Sequence, residues 1–326
     1  MEKIDLKDRK ILYHLDLNCR QSNTQIGKKV GLSKQVVDYR IKRMEDEGII
    51  TSYWTLINSF VLGFDVYRYY ITFQNATQKI KEEMINFLIQ YKNTWTVYSA
   101  SGFFDLGILI WVRNLQKFNN FWEEFNDKYG DYILEKIFSV VLKANSYRHT
   151  FLISDDFDVS ERKKYIQIGP GPLVKIDKLD YEILNVLVLH ARKAVIEIAE
   201  QLGCSSQTVN YRIKNMIEKG IIQSFKVSIN SSKIGLQQSC IDLWLRKLSK
   251  RKEIWRYLEN NPNITYMQTN AGFADLENEL IVNGLDSLER IMEDLSEKFT
   301  GYIRKYSFFI FKNQYIIRSL PDMNFK

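Results

Sequence analysis

The 326-residue chain is poor in cysteine, and this scarcity excludes several kinds of site. Its three cysteines, Cys19, Cys204 and Cys240, are scattered and odd in number, and no two form a Cys-x-x-Cys pair. A disulfide framework or a zinc site is therefore not expected. Histidine is equally scarce, with three in the whole chain. We expect no metal and no cofactor.

Long apolar runs are also missing. No run approaches the roughly 18 residues that span a bilayer, and the first ten residues, MEKIDLKDRK, are charged and lack an apolar signal core. We therefore expect a cytoplasmic protein with no membrane partner. Phosphate-binding glycine loops and Ser–His–acid arrangements do not rise above background either, so we do not expect an enzyme.

The chain is rich in hydrophobic and aromatic residues and has a mild excess of basic residues. Hydrophobic residues make up 45% of the sequence and aromatics 13%, which suffices for two to four small domains. Lys and Arg outnumber Asp and Glu by 46 to 39, giving a net charge of +7. This surplus fits nucleic-acid binding but does not establish it.

The chain repeats itself. The segment DYRIKRMEDEGII at 38–50 returns as NYRIKNMIEKGII at 210–222, an offset of 172 residues. Further on, SGFFDL at 101–106 pairs with AGFADL at 271–276 at an offset of 170. Such a colinear match predicts a duplicated unit, with two small deletions in the loops of the second copy.

Each copy predicts a helix-turn-helix. In the first copy a short helix over 24–30 ends at Gly31, and Ser33 caps the next helix. Along that helix Val37, Ile41 and Met44 form an apolar stripe that must face a core. The tight turn between two short helices is what projects the second helix outward for reading DNA.

The opposite face of the second helix carries polar and basic residues that could contact DNA. Gln and Arg can pair with base edges, whereas Lys and Tyr more often hold phosphates. Arg40 and Arg212 are ambiguous, because each could bind phosphate or could instead pair with an acid on its own helix. The predicted DNA-binding residues are Lys34, Gln35, Tyr39, Arg40, Lys42 and Arg43 in the first copy, and Gln207, Asn210, Tyr211, Arg212 and Lys214 in the second.

The second reading face carries less charge. Residues 1–50 have a net charge of +3 and residues 171–225 a net charge of +1. The second copy is therefore expected to bind DNA more weakly or with less salt dependence.

These residues resemble a known family. The string from Ile4-Asp5 through Asn18-x-Arg20 and Gly31-Leu32-Ser33 to Gly48-Ile49-Ile50 is similar to the N-terminal domain of Lrp/AsnC (feast/famine) transcriptional regulators. The resemblance covers about 1–152 and again 173–320. It implies a sequence-specific DNA-binding regulator whose DNA affinity or assembly responds to a small molecule such as an amino acid.

The segment after each helix-turn-helix predicts a βαββαβ unit. This unit resembles the ligand-sensing RAM domain of the family, in which a Gly-x-x-Asp turn lies near the small-molecule site and the subunit contact. The resemblance points to Gly102, Asp105, Gly272 and Asp275 as effector-binding residues. An equally good interpretation is a tight turn that needs Gly for its backbone and Asp for a local hydrogen bond.

The predicted fold is α+β, with two winged helix-turn-helix domains and two ferredoxin-like βαββαβ (RAM-type) domains in tandem. We predict helix-turn-helix domains at 1–52 and 173–224, RAM-like domains at 53–152 and 225–326, and a linker at 153–172. A flexible linker of 20 residues would reach about 25 Å on average.

Because family members dimerise through these sheets, the simplest hypothesis is one chain acting as a covalent pseudo-dimer. The alternative is self-association between chains that pair first copy with first copy. Two other functions stay open: a siroheme decarboxylase-like enzyme, and an assembly module whose DNA binding has decayed.

Overall fold

A computed structural model describes residues 4–153, 158–323 and 325, and it shows the two copies as the same series of elements. The first copy begins with α1 (Leu6–Leu17), α2 (Asn23–Val30), α3 (Lys34–Asp46) and β1 (Ile50–Ile57). It continues with β2 (Asp65–Phe73), α4 (Gln78–Gln90), β3 (Thr94–Ser101), β4 (Leu106–Val112), α5 (Leu115–Tyr129) and β5 (Ile133–Ser146). A short strand, β6 (Ile166–Ile168), comes next.

The second copy repeats this order. It has α6 (Lys178–Leu189), α7 (Val195–Leu202), α8 (Ser206–Glu218) and β7 (Ile222–Ile229). Then come β8 (Gln237–Leu245), α9 (Arg251–Glu259), β9 (Ile264–Ala271), β10 (Leu276–Val282), α10 (Leu285–Lys298) and β11 (Ile303–Ile317). The predicted α+β class, with two helix-turn-helix units and two βαββαβ units, is confirmed.

The strands of the two βαββαβ units close into one ring. The antiparallel order is β2-β4-β3-β11-β8-β10-β9-β5, and β5 pairs back with β2. The last strand of each unit makes the crossing: β5 pairs with β9 of the second copy, and β11 pairs with β3 of the first. The unlike halves of a single chain therefore form one eight-stranded barrel.

Alternation along the strands separates the inside of this barrel from the outside. On β4, Ile108 and Ile110 face outward into a core shared with α4 and α5. Leu109 and Trp111 belong to the larger core on the other face of the sheet. This period of two is what a strand requires when both of its faces are covered.

The two helix-turn-helix units are also joined. β1 pairs with β7 in antiparallel fashion, so the wings form one two-stranded ribbon. At one end the Cys19 amide donates to the Phe225 carbonyl at 2.8 Å, and at the other the Ala191 amide donates to the Tyr53 carbonyl at 3.1 Å. Because these residues correspond between the copies, the contact obeys the pseudo-twofold of the duplication.

The segment that we expected to be a flexible tether is built into the fold over its described part. β6 pairs with β5, and the Arg162 side chain is fully buried. Its guanidinium donates to the carbonyls of Arg148, Glu259 and Ile264 at 2.8–3.0 Å. The described part of the linker is therefore packed, because buried carbonyl groups at the ends of other elements accept the hydrogen bonds of Arg162.

Candidate nucleic-acid interface

The recognition helix of the first copy is α3, and its start and its buried face are explained by the sequence. The Ser33 hydroxyl accepts from the Val36 amide at 3.3 Å and caps the helix. Val37, Ile41 and Met44 are buried, as their spacing predicts. The helix packs against α2, which leaves its other side toward solvent.

That solvent side carries much of the predicted reading face. Lys34, Gln35, Tyr39 and Lys42 are exposed, and 69% of Tyr39 is open to solvent. Side chains in this position can enter a groove of duplex DNA without any rearrangement of the helix.

α8 presents the same arrangement in the second copy. It packs against α7, with Val209, Ile213 and Met216 buried. The exposed predicted residues are Gln207, Asn210, Tyr211 and Lys214, and 70% of Tyr211 is open to solvent. Both faces are therefore accessible in the same molecule.

Arg40 and Arg212 have a different position from the other predicted residues. The Arg40 Nη1 lies 2.7 Å from Asp5 and 2.8 Å from Asp8, the two acids of the α1 capping box. Arg212 binds Asp177 and Asp180 at 2.6 and 2.8 Å in the second copy. Sequence reasoning allowed for an acid on the same helix, but the acids lie on the first helix of each unit.

Arg43 is also engaged. Its Nη2 lies 2.6 Å from Asp8, whose side chain is buried, and its Nε lies 3.6 Å from Glu47. The pKa of Arg43 is raised: burial opposes the shift, but the hydrogen bond and the charge of Asp8 outweigh it. The second copy has Asn215 at this position, so this ion pair is special to the first copy.

The two Gly-x-x-Asp turns lie against the opposite copy. A Cβ atom on Gly102 would come within 2.8 Å of the Phe308 carbonyl oxygen, and one on Gly272 within 3.1 Å of the Phe138 carbonyl oxygen. Both glycines also have positive φ, 155° and 99°. These turns need glycine both for backbone geometry and for the close approach of the other half.

The aspartates of these turns make local hydrogen bonds. Asp105 accepts from the Phe73 amide at 2.8 Å, and Asp275 accepts from the Leu245 amide at 2.7 Å. Each carboxylate thereby holds the end of a neighbouring strand in its own copy. This local role is the alternative that the sequence left open for the predicted effector residues.

Sequence reasoning missed the groups that hold the two helix-turn-helix units together. Arg20 donates to the carbonyls of Ala191 and Lys193 at 2.6 and 3.0 Å. Asp16 is buried, and Lys226 of the second wing lies 2.9 Å from it. The available signal was a repeated arginine at 20 and 192, but no spacing rule indicates that its partner lies in the other copy.

His149 is a further, half-buried partner of Asp16. Its amide donates to Asp16 at 3.1 Å, and its Nδ1 lies 3.4 Å from the same carboxylate. Burial lowers the pKa of His149 to about 4, assisted by the charges of Lys226 and Arg162 and opposed by Asp16. The imidazole is therefore neutral near pH 7, and Lys226 supplies the positive charge that balances Asp16.

The winged helix-turn-helix DNA-binding family matches the chain twice, at 4–51 and at 176–223. The HTH-type transcriptional regulator Ptr1 of Methanocaldococcus jannaschii is 33% identical over 119 residues, which is 36% of this chain and 80% of that protein. The chain belongs to the Lrp/AsnC family of transcriptional regulators. The regulatory protein AsnC of Escherichia coli is 26% identical over 118 residues, covering 36% of this chain and 78% of AsnC.

A solved structure matches the doubled arrangement. The siroheme decarboxylase NirDL superposes with a TM-score of 0.62 at 13% identity, covering 96% of this chain and 93% of NirDL. At this identity the likeness shows the fold alone. The fold of the whole doubled chain, and not only of one copy, therefore has a counterpart among solved structures.

The helices of the described residues differ from membrane-spanning helices. Within 4–153, 158–323 and 325, none is both long enough and apolar enough to cross a bilayer.

Proposed function

We propose that this chain is a cytoplasmic, sequence-specific regulator of transcription in which one polypeptide supplies both halves of the DNA-reading unit. The observation that carries the proposal is the pairing of β1 with β7, which joins two helix-turn-helix units whose recognition helices are both exposed. In this family fold a dimer would supply the same pair of helices. Here the pair is covalent.

The reading geometry is a consequence of this pairing. The two recognition helices enter successive major grooves, about 34 Å apart along the duplex. Because the wing ribbon and the barrel both join the copies, the distance between half-sites is fixed. A site whose halves are moved by half a helical turn would present its second groove on the wrong side of the DNA.

The half-sites are expected to differ in sequence. Gln35 and Gln207 occupy corresponding positions, but the exposed Asn210 corresponds to Asp38, whose carboxylate accepts from the Asn23 side chain. Asn210 can pair with adenine through two hydrogen bonds, whereas Asp38 is held by Asn23 and is not assigned a base. The regulator therefore binds an imperfect palindrome in one orientation.

Phosphate contacts are assigned to the exposed cations and tyrosines: Lys34, Lys42, Lys214, Tyr39 and Tyr211. Arg40, Arg43 and Arg212 hold the helices in place through the acids of α1 and α6. The exposed residues therefore contact DNA, and the three arginines orient the recognition helices.

A small-molecule effector, such as an amino acid, is proposed to act at the Gly-x-x-Asp turns of Gly102–Asp105 and Gly272–Asp275. Support comes from their place at the contact between the halves, where binding could change how the barrel holds the wings. Calorimetric titration with the twenty amino acids, compared between the parent chain and Asp105→Asn, tests this assignment. A heat of binding that Asp105→Asn leaves unchanged would place the effector elsewhere.

Selection of bound duplexes from a random library tests the function itself. We expect an enriched sequence with two unlike halves separated by about one helical turn. Inserting five base pairs between the halves should abolish the shift in a mobility assay, and inserting ten should also abolish it, because the distance between the two recognition helices is fixed. Enrichment of no sequence, at low as well as moderate salt, would refute a sequence-specific regulator.

The fold shared with NirDL is the one observation that favours a tetrapyrrole-processing enzyme. Absorbance spectra after addition of an iron porphyrin, together with analysis of its carboxylate side chains, test this alternative. A stoichiometric Soret shift with loss of carboxylates would make the chain an enzyme. One observation counts against the enzyme: His149 packs onto Asp16 and Phe151 at the contact between α1 and the segment after β5, so its imidazole is engaged within the protein.

A further inference from the structure

The interior of the barrel contains a buried ion pair between the two copies. Arg68 on β2 and Glu277 on β10 form a salt bridge, and both side chains are almost completely buried. The Tyr70 hydroxyl donates to Glu277 at 3.1 Å, and the Gln268 amide donates to the same oxygen at 2.7 Å. First-copy and second-copy groups therefore meet at this one carboxylate.

The corresponding interior positions of the two copies carry opposite chemistry. The repeat offsets place Arg68 against Cys240, Tyr70 against Asp242, Gly107 against Glu277, and Leu109 against Glu279. The strand registers agree, since Tyr70 pairs with Gly107 just as Asp242 pairs with Glu277. At these positions the first copy brings one cation and no acid, and the second brings three acids and no cation.

We propose that these interior residues make the two halves selective for each other, so that a first half accepts a second half and rejects another first half. Two first halves would bury two Arg68 side chains without a carboxylate. Two second halves would bring six acidic side chains together without a cation, so each that stayed ionised would lack a partner. Buried charges without partners are strongly unfavourable, so each like pairing is disfavoured for its own reason.

Shape adds to the selection by charge. The ring of Tyr98 lies directly over Gly107, where a Cβ atom would stand 2.3 Å from the ring. In the second copy the same cross-strand pair is Gln268 and Glu277, which hydrogen-bond to each other. The Tyr98 ring therefore occupies, in the first half, the space over Gly107, which is the position that corresponds to Glu277 in the second half.

The consequence is an assembly that always contains one helix-turn-helix of each kind. It resolves the choice between unlike and like pairing that the sequence left open. The selection depends on the barrel and not on DNA, so it can be tested without any DNA-binding assay.

A nicked form of the full chain tests the selection directly. A protease site inserted after Pro172, within the exposed stretch 170–173, allows the folded protein to be cut between the copies. The cut protein is unfolded in urea and refolded, and native mass spectrometry then counts like and unlike pairs. Random association would give like and unlike pairs in equal numbers, and we expect fewer than about one like pair in a hundred. Like pairs at the random level would overturn the proposal.

A variant whose barrel interior carries no charged side chains at these positions tests whether charge causes the selection. In the nicked chain carrying Arg68→Met, Asp242→Asn, Glu277→Gln and Glu279→Gln, like pairs should rise by at least about tenfold. The matched control carries Lys252→Met and Glu253→Gln on the exposed face of α9 and should keep the parent distribution. A neutral variant that folds and still forms only unlike pairs would remove the charges as the cause.

The smaller variant Arg68→Met with Glu277→Gln guards against misfolding of the larger one. It removes the central pair while keeping two buried acids in the second half, so pairs of first halves should rise and pairs of second halves should not. Equal behaviour of the two kinds of like pair would contradict the charge mechanism.

Discussion

Arg20 of the first copy lies over the ring of Phe225 in the second wing, with 5.4 Å between its guanidinium carbon and the ring centroid. The corresponding pair, Arg192 and Tyr53, repeats this contact at 5.1 Å in the opposite direction. Each helix-turn-helix thereby holds the wing of the other. The relative position of the two recognition helices depends on these reciprocal contacts as well as on the paired wings.

Replacing Arg20 with Met should loosen this arrangement. The variant keeps the apolar stem but loses two charge-assisted hydrogen bonds to carbonyls, at a cost of about 1–2 kcal/mol in the free energy of unfolding. Arg192→Met should cost less, because Arg192 donates to the side chain of Asn23, whereas Arg20 donates to two backbone carbonyls. Urea unfolding measures both, and a smaller loss for Arg20→Met than for Arg192→Met would contradict the assignment.

Arg40 and Lys42 lie two residues apart on α3, and their substitutions should affect different properties: stability for Arg40 and DNA binding for Lys42. Arg40→Met leaves the buried Asp8 with fewer partners and should lower the free energy of unfolding by roughly 1 kcal/mol, since Arg40 is partly exposed and its ion pairs are screened. Lys42→Met should leave stability unchanged, weaken DNA binding, and reduce the salt slope by about one. Thermal melts and binding at several salt concentrations separate the two roles. A stability loss from Lys42→Met would argue against a phosphate contact.

Gly107→Ala should destabilise the barrel. The added methyl group would overlap the buried ring of Tyr98, and such overpacking costs roughly 1–3 kcal/mol. The matched control is Gly130→Ala at the end of α5, where a Cβ atom meets nothing within 4 Å and the backbone is already helical. Denaturant unfolding should show a loss for the first variant and no loss for the second; equal effects would mean that Tyr98 can move aside.

His149 should make stability fall in mild acid. Its pKa is about 4 in the folded state, against an ordinary value of 6.5, so the unfolded chain takes up a proton first as pH falls. The stability is therefore fully present above about pH 6.5 and declines toward pH 4, by at most about 3 kcal/mol. His149→Gln should flatten this part of the profile, leaving the contribution of His14, whose pKa burial also lowers to about 4. The exposed His190 provides the control substitution, and an unchanged profile in His149→Gln would contradict the burial of a neutral imidazole.

Local features were predictable because they depend on neighbours in sequence. The caps at Ser33 and Ser205 and the stripe of Val37, Ile41 and Met44 needed only helical periodicity. The exposed faces of α3 and α8 were predictable from the same period. Whether Tyr39 or Gln35 touches DNA stays a prediction, and so do the effector site and the domain boundaries.

The role of Arg40 could not be settled from sequence, since its partners Asp5 and Asp8 are more than thirty residues away. Arg162 shows the same limit more sharply. Nothing in a polar stretch between two copies indicates a fully buried guanidinium, because the carbonyls that accept its hydrogen bonds come from both copies.

The order of residues alone determined the duplication, the place of each helix-turn-helix and the βαββαβ series, because repeats and periodicities are written locally along the chain. Only the tertiary structure decided which half pairs with which. From sequence alone, β5 could have paired with the first half of another chain. In the structure it pairs with β9 of the second half, and the buried salt bridge between Arg68 and Glu277 is formed only between unlike halves. Charge complementarity over a separation of more than 200 residues becomes visible only when the strands that carry it lie side by side.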